Sequence, residues 1–488
     1  MKFLLKKYFT HHARLVTASI ANPLHAQHAV FSRLKSELQG SELSIQSGFE
    51  QCSILEDCRN LPVSTSETLE PYFARVFHAG ALESRIFGRS KIVGIGRSSG
   101  STGNPKNIPL NQAYFRSYDR TLLRMIACTL YSTGAWDFSL SGKRVLLGSR
   151  PLLEPSPSGL PVKDISGFLL TRSSRFSRRL YLPQHEDLFL DDWGKKADLI
   201  LEQARGQNVV SISGIPALAI DFAKRVKSAT GVERLTDLWP NLRLFVYGGV
   251  PLSPAQKQEI KHSWCGQDHE LFFLETYFAT EGALAFSFDP REEGLELNLL
   301  ENLYLFQSRN GAFLFAHELE QGEIYSVFVT TPGGLIHYQM GDLVEVISTH
   351  PLRIRVSGRE KEEISMTGEK ITLAQLDLAL AAAGFVGGTH LPVIWIEQDD
   401  RPNLVWGIPS SPLPLAARLD EELCRVNVLY REALVHEKVI GPSKVVALPE
   451  SMFTGRRKPK RIFNSRAEFE AFQSKTPSSP SSDDSSEF

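Results

Sequence analysis

The stretch Gly94–Leu110, GIGRSSGSTGNPKNIPL, concentrates groups that could do chemistry. It offers the hydroxyls of Ser98, Ser99, Ser101 and Thr102, the glycines Gly100 and Gly103, and one cation, Lys106. Its Gly96-x-Ser98-x-Gly100 spelling matches the nucleophile turn of serine hydrolases, but that turn must lead directly from strand into helix. Here the chain runs on through Asn104 and Pro105, with Pro109 further along, before a helix can begin. The span Gly94–Gly100 also resembles a dinucleotide fingerprint, whose third glycine should open a helix, and this one does not. A P-loop needs a glycine followed by Lys-Ser or Lys-Thr, which the stretch lacks. What remains is an anion-binding loop. Glycines admit close backbone approach, successive N–H groups form a concavity for phosphate oxygens, and the hydroxyls and Lys106 complete the donor set. The alternative is a plain solvated loop.

The elements around this loop are legible from periodicity. Residues 1–85 read as mainly helical, SKIVGI as a strand, and QAYFRSYDRTLLRMIACTLYS as a long buried helix. Strand-like runs (RVLLG, NVVSIS, LRLFVYGG, ELFFLETYF) then alternate with helices such as PALAIDFAKRVKSA, which predicts α/β layers around a largely parallel sheet. From about Glu293 the pattern becomes short strands separated by Gly and polar turns, an antiparallel sheet or small barrel. A small α+β domain is expected over 358–472, following a large domain over 1–357. The Ser/Pro-rich acidic residues 473–488 cannot bury enough apolar surface to order and read as a disordered tail.

Composition excludes some classes of function. The chain has 488 residues, 42% hydrophobic and 22% charged, with a net charge of -1, so bulk charge favours neither nucleic acid nor an anionic membrane. No run is long enough to span a bilayer. The opening MKFLLKKYFTHHARL has no continuous apolar segment and no cleavage site, so it reads as an amphipathic helix packed on its domain, with an interfacial membrane helix as the alternative. Five scattered cysteines without a C-x-x-C, and a His11–His12 pair without a ligand partner, predict free thiols and a cytoplasmic protein rather than a disulfide framework or zinc site. The basic run Thr171–Arg179 reads as a solvated loop, or alternatively as a contact for an anionic substrate.

Further segments, taken in order, resemble one superfamily. SSGSTGNPK (Ser98–Lys106) resembles the phosphate loop of the adenylate-forming enzymes, which include acyl-CoA synthetases, peptide-synthetase adenylation domains and luciferases. YGGVPLS (Tyr247–Ser253) is similar to their adenine-side loop, TYFATEG (Thr276–Gly282) to Tyr-x-x-Thr/Ser-Glu, and HYQMGD (His337–Asp342) to Tyr-Arg-x-Gly-Asp. GREKEEISMTGEKIT (Gly358–Thr372) is similar to the hinge motif that ends in Gly-Glu-Lys. Within that superfamily the chain is similar to the Gretchen Hagen family, the auxin-responsive acyl acid–amido synthetases and their bacterial relatives. This narrower resemblance rests on Phe49–Gly80, SISGIPALAI, LTDLWPNLRL and VFVTTPGGLIHYQMGDLVEV. Three departures stand out. Gln339 replaces an arginine, LYLFQ (Leu303–Gln307) lacks a glutamate, and Lys460 lies beside Lys458 where the C-terminal lysine of the family falls.

The resemblance implies a two-step reaction. A carboxylate attacks the α-phosphate of MgATP to give acyl-AMP and pyrophosphate, and an amine, expected to be an amino acid, then takes the acyl group and releases AMP. Neither step needs a protein nucleophile; the protein orients the reactants and stabilises phosphate charge. By resemblance, Ser98, Ser99, Gly100, Ser101, Thr102, Gly103 and Lys106 hold the β- and γ-phosphates, Thr280 binds the α-phosphate and Glu281 ligates Mg²⁺. Asp342 accepts the ribose hydroxyls, Tyr277 stacks on adenine, Gly248 and Gly249 leave room for the base, and Arg359 reaches ribose or phosphate. Lys361 marks the hinge between domains, and Lys458 stabilises the adenylation transition state, with Arg461 at the family's arginine. The alternatives are a coenzyme A or carrier-protein ligase using the same first step, and an adenylate-binding protein of weak activity.

Overall fold

A computed structural model describes residues 2–98, 106–136, 142–148, 155–172, 178–184, 190, 192–249, 252, 254–266, 269–360, 364, 366, 371–385, 391–399, 401–409, 415–436, 438–449, 452–453, 461–463 and 465–474. The chain divides into two compact units, Met1–Pro251 with Glu259–Val356, and Leu252–Gln258 with Ser357–Phe488.

The first unit opens on helices α1 (Lys2–Ala21), α2 (Pro23–Leu38), α3 (Glu42–Ser47) and α4 (Ser66–Ala79). Their boundaries follow local chemistry. Asn22 caps α2 by accepting from the His25 N–H at 3.2 Å, with Pro23 in the first turn. Thr65 and Thr68 cap α4 reciprocally. The long helix α5 (Gln112–Thr133) starts at Asn111, whose side chain accepts from the Tyr114 N–H at 2.8 Å, and stops at Gly134 with φ +69°.

Three sheets complete this unit among the described residues. The strands are β1 (Ile92–Arg97), β2 (Asn107–Asn111), β3 (Lys143–Leu146), β4 (Val162–Lys163), β5 (Tyr181–Leu182), β6 (Val209–Ser213), β7 (Leu244–Gly248), β8 (Phe272–Phe278), β9 (Ala283–Phe286), β10 (Glu296–Leu297), β11 (Leu303–Gln307), β12 (Phe313–Leu314), β13 (Ile324–Thr330), β14 (Tyr338–Thr349) and β15 (Leu352–Arg359). The small sheet has the order β2-β1-β4, the large one β10-β9-β8-β7-β6-β3-β5, and the third β12-β11-β13-β14-β15. In the large sheet β5, β3, β6, β7 and β8 run parallel, and β9 and β10 close it antiparallel. Parallel strands need crossover helices, which matches the strand–helix alternation of the sequence. The third sheet is the expected antiparallel element and is open, with β12 and β15 as its edges.

One strand escapes sequence reading. NIPLN forms β2, antiparallel to β1, where the sequence suggested only loop leading to a helix. Pro109 lacks an N–H, which argues against a central strand, but β2 is an edge and tolerates it. The main core joins Ile92, Ile95 and Leu110 of the small sheet to Tyr304, Phe328 and Val344 of the third, with Leu34 and Phe73 from the helices. A second cluster packs Phe9, Ala13, Val16 and Ile20 of α1 on Met125, Cys128 and Leu130 of α5 and on Leu274 and Phe286 of the large sheet.

The second unit holds β16 (Val393–Gln398), β17 (Pro402–Ile408), β18 (Lys444–Ala447) and β19 (Ile462–Phe463) in the order β18-β17-β16-β19, with helices Leu373–Ala382 and Ala416–Val426. Its core includes Leu376, Leu380, Trp406, Leu419 and Leu423. Residues 475–488 lie outside the described residues.

Candidate active site

The glycine- and serine-rich stretch connects β1 to β2, which pair antiparallel. Its stem closes where the Ser98 N–H donates to the Lys106 carbonyl at 3.0 Å and the Lys106 N–H donates to Ser98 Oγ at 2.9 Å. Ser98 therefore follows the strand β1 and clasps its return to β2 rather than opening a helix, which removes the hydrolase elbow from consideration. Ser99, Gly100, Ser101, Thr102 and Gly103 lie outside the described residues. Two residue pairs earlier, Gly96 abuts Thr280 at the edge of the large sheet. A Cβ there would lie 2.7 Å from Thr280 Cγ2, so only glycine lets β1 approach this closely.

Thr280 and Glu281 form the tip of the β8–β9 hairpin, closed by reciprocal backbone hydrogen bonds between Ala279 and Gly282 at 2.9 and 3.2 Å. Tyr277 precedes them on β8 and is buried. Gly248 ends the neighbouring strand β7. The space its side chain would take is filled by the Thr276 carbonyl and hydroxyl, so close strand packing accounts for this glycine. Gly249 follows with φ +72°.

The third sheet contributes β14. Its pairing with β13 shifts register between Ser326 and Phe328, so Met340, Gly341 and Asp342 bulge out of the ladder, with Gly341 at φ +72°. The bulge is buttressed by the N-terminal segment. The Ser64 N–H donates to the His337 carbonyl at 3.0 Å, the Gln339 N–H donates to the Ser64 carbonyl at 2.8 Å, and Ser64 Oγ donates to the Ile336 carbonyl at 2.6 Å. His337 itself has φ +44°, a left-handed conformation uncommon outside glycine, and its ring Nδ1 donates to the Leu61 carbonyl at 2.9 Å. Burial pushes the His337 imidazole below its ordinary pKa, the Leu61 contact only partly opposing this, so it sits neutral.

The three sheets thus bring four predicted residues and one unpredicted one together. Lys106 Nζ donates to Tyr338 Oη at 3.2 Å, Tyr338 Oη donates to Glu281 Oε1 at 3.5 Å, and Lys106 Nζ stands 3.9 Å from the same carboxylate oxygen. Tyr277 Oη donates to Asp342 Oδ2 at 2.5 Å. Glu281 and Asp342 are both nearly buried, at 8% and 6% exposure. Burial, and then the Glu281 charge, push the Tyr338 phenol up, so it stays a proton donor. Tyr338 lies within HYQMGD, where the sequence alone assigns it no role. Its signal was its place in the motif, four residues ahead of Asp342 on a strand whose bulge turns both toward neighbours of Glu281 and Tyr277.

Arg359 closes β15 and belongs to the second unit, while Lys361 and Lys458 lie outside the described residues. Arg461 is buried in the second unit. Its Nε donates to the Pro392 carbonyl at 2.9 Å and its guanidinium grips Asp377 at 2.6 and 2.9 Å, the work of a structural strut.

The fold is that of the adenylate-forming ligases. A GH3.15 acyl acid amido synthetase structure covers 94% of this chain and 95% of its own at 16% identity and a TM-score of 0.72. A 2-hydroxyisobutyryl-CoA ligase in complex with an acyl-AMP covers 91% of each chain at 15% identity and a TM-score of 0.60. The chain belongs to the GH3 family: the family's N-terminal domain matches residues 13–204 and its central domain residues 296–359, together just over half of the sequence. A probable indole-3-acetic acid-amido synthetase, GH3.11 of Oryza sativa subsp. japonica, is 25% identical over 186 residues; the match spans 33% of this chain and 30% of the rice protein.

Proposed function

We propose that this protein is an ATP-dependent acyl-acid amido synthetase. It joins a small carboxylic acid to ATP, forming acyl-AMP and releasing pyrophosphate, and then passes the acyl group to an amine, releasing AMP and a proton. The amine is proposed to be an amino acid. The observation that carries this reading is the convergence of Lys106, Glu281, Tyr338 and Asp342 from three separate sheets. Family membership supports the acid–amine reaction, and the complex of a related structure with an acyl-AMP supports the first step.

The residues suit a nucleotide. Asp342 offers carboxylate oxygens to the ribose hydroxyls, and the Tyr277 phenol fixes its orientation. Lys106, at the base of the loop, holds its cation where phosphate charge would accumulate, positioned by the Tyr338 hydroxyl. Thr280 supplies a hydroxyl beside Glu281 at the hairpin tip. Glu281 is a hard oxygen donor suited to Mg²⁺. That ion is commonly held by one or two carboxylates plus substrate phosphates. Bound there with ATP, Mg²⁺ would neutralise phosphate charge. Lys361 and Lys458 are proposed for the hinge and the adenylation step by motif alone.

Pyrophosphate exchange into ATP with a panel of carboxylic acids tests the first step. Exchange that depends on one class of acid is expected; none with any acid, in folded protein, overturns the proposal. Product analysis with amino acids and with coenzyme A then separates amide from thioester formation.

A further inference from the structure

Charge is unevenly spread along this chain. Residues 1–36 carry six Lys and Arg, four His and no Asp or Glu. The rest holds 48 basic against 55 acidic residues, so a near-neutral total hides a cationic N-terminal segment. Four of those six cations, Lys2, Lys6, Lys7 and Arg14, sit on α1, which has no carboxylate of its own to offset them.

Helix α1 has two apolar stripes on opposite sides. Phe9, Ala13, Val16 and Ile20 recur at helical spacing and are buried against α5 and the large sheet. Leu4, Tyr8, His11 and Leu15 recur at i, i+4, i+7 and i+11 on the other side and face solvent. Leu4 is 70% exposed, Tyr8 50% and Leu15 38%, with Phe3 beside them at 67%. Packing of the domain explains the first stripe and leaves the second unexplained. The second is flanked by the exposed cations Lys7 and Arg14, and Lys7 Nζ lies 4.6 Å from the Phe3 ring centre, whereas Lys6 turns toward the domain, its Nζ 5.4 Å from the Trp136 ring centre.

Large apolar side chains, a tyrosine and a cationic border on one outward helix face are what an interfacial helix needs. The leucines and phenylalanine enter the acyl boundary, tyrosine sits at headgroup depth, and Lys and Arg meet anionic headgroups. A nucleic acid would use the cations but offers no apolar phase for Phe3, Leu4 and Leu15. We propose that the outer face of α1 docks this protein onto an anionic lipid surface, the helix lying in the plane of the interface while its inner face stays packed on the domain.

Sedimentation of the full-length protein with phosphatidylcholine vesicles, with and without phosphatidylserine, tests this. Binding is expected only with phosphatidylserine, and it should weaken as salt rises. Lys7→Glu with Arg14→Glu should lower the lipid partition by about tenfold or more, because each basic residue near an anionic surface is worth about fivefold. Leu4→Ser with Leu15→Ser should weaken it at unchanged charge. All four positions are exposed, so thermal unfolding and pyrophosphate exchange should match the parent protein; the milder Lys7→Gln with Arg14→Gln pair repeats the measurement if the charge reversal disturbs folding. Equal sedimentation with both vesicle types, no sedimentation with either, or vesicle binding unchanged in both variants overturns the proposal. So does binding to duplex DNA or RNA in the absence of vesicle binding.

Discussion

Two buried glutamates, Glu301 and Glu281, put the same functional group to different uses. Glu301 has no exposed surface and is clasped by arginines. Arg120 reaches it through two nitrogens at 2.7 and 2.5 Å, Arg124 lies at 2.6 Å and Arg33 at 3.5 Å. Burial would raise its pKa, but the arginines outweigh burial and hold it below the usual carboxylate range. Arg33 also donates to the Leu300 and Glu301 carbonyls, so the cluster bolts α2 and α5 to the segment ahead of β11. Glu281 sits on a hairpin tip, with a phenol at 3.5 Å and an ammonium at 3.9 Å, both at the outer limit for their kinds of contact. Short planar forks make a strut. Longer contacts to Lys and Tyr, which can turn to other partners, suit a site that takes up and releases a ligand.

Substitutions can break this comparison. The largest effect is expected at Glu301: Glu301→Ala leaves the buried Arg124 without its carboxylate and the half-buried Arg33 and Arg120 without theirs, and should cost about 3 kcal/mol in denaturant unfolding. Full stability in that variant would sink the strut reading. Glu281→Gln should do the reverse, lowering pyrophosphate exchange by about a hundredfold or more while leaving the melting temperature close to that of the parent; a loss of stability without a loss of exchange would exchange the two roles. Gly96→Ala tests how closely β1 must approach the Glu281 hairpin. Its methyl would press on Thr280, so we expect a loss of about 1–3 kcal/mol together with slower exchange. Unaltered exchange would mean that the β1–Thr280 approach does not position the site. Tyr338→Phe removes the hydroxyl shared by Lys106 and Glu281 and should slow exchange by about tenfold, with stability little changed.

The smallest effect is a pH dependence. His337 has a folded pKa below its ordinary 6.5, so the folded chain binds fewer protons there than the unfolded chain. Its contribution to stability is complete above 6.5 and is lost as pH falls below that value. Glu301, also depressed, loses its contribution only as pH falls below its ordinary 4.5, so the two transitions are separable. Unfolding midpoints followed across pH should lose the upper part of the slope in His337→Asn and keep the lower part. An identical profile would show that His337 does not carry it.

The contrast between the two carboxylates also marks what could be read in advance. Glu281 and Asp342 were legible because they lie in short motifs, where neighbours in sequence announce the role. Glu301 was not. Its partners come from 177 to 268 residues away, and nothing local distinguishes it from a solvated turn carboxylate. Tyr338 was visible as a letter in a motif, but its place between Lys106 and Glu281 depends on three chain segments meeting. The strand β2 was missed because Pro109 reads as a strand breaker, and only its edge position makes it permissible. The segment Phe49–Gly80 was legible by resemblance, yet the support that its Leu61 and Ser64 give His337 and Gln339 is a tertiary contact.

The sequence by itself determined the alternation of strands and helices, the capping of α2 and α4, the glycine- and serine-rich composition of the β1–β2 connection and the order of the motifs. These depend on side-chain periodicity and on hydrogen bonds within a few residues. Tertiary structure alone decided that the hairpin of one sheet, the turn of another and the bulge of a third share a site, and that α1 keeps an apolar stripe in solvent. Such facts depend on which faces are buried against which neighbours. A residue's spacing shows which side of an element it occupies; what that side meets is settled only when the sheets and helices pack.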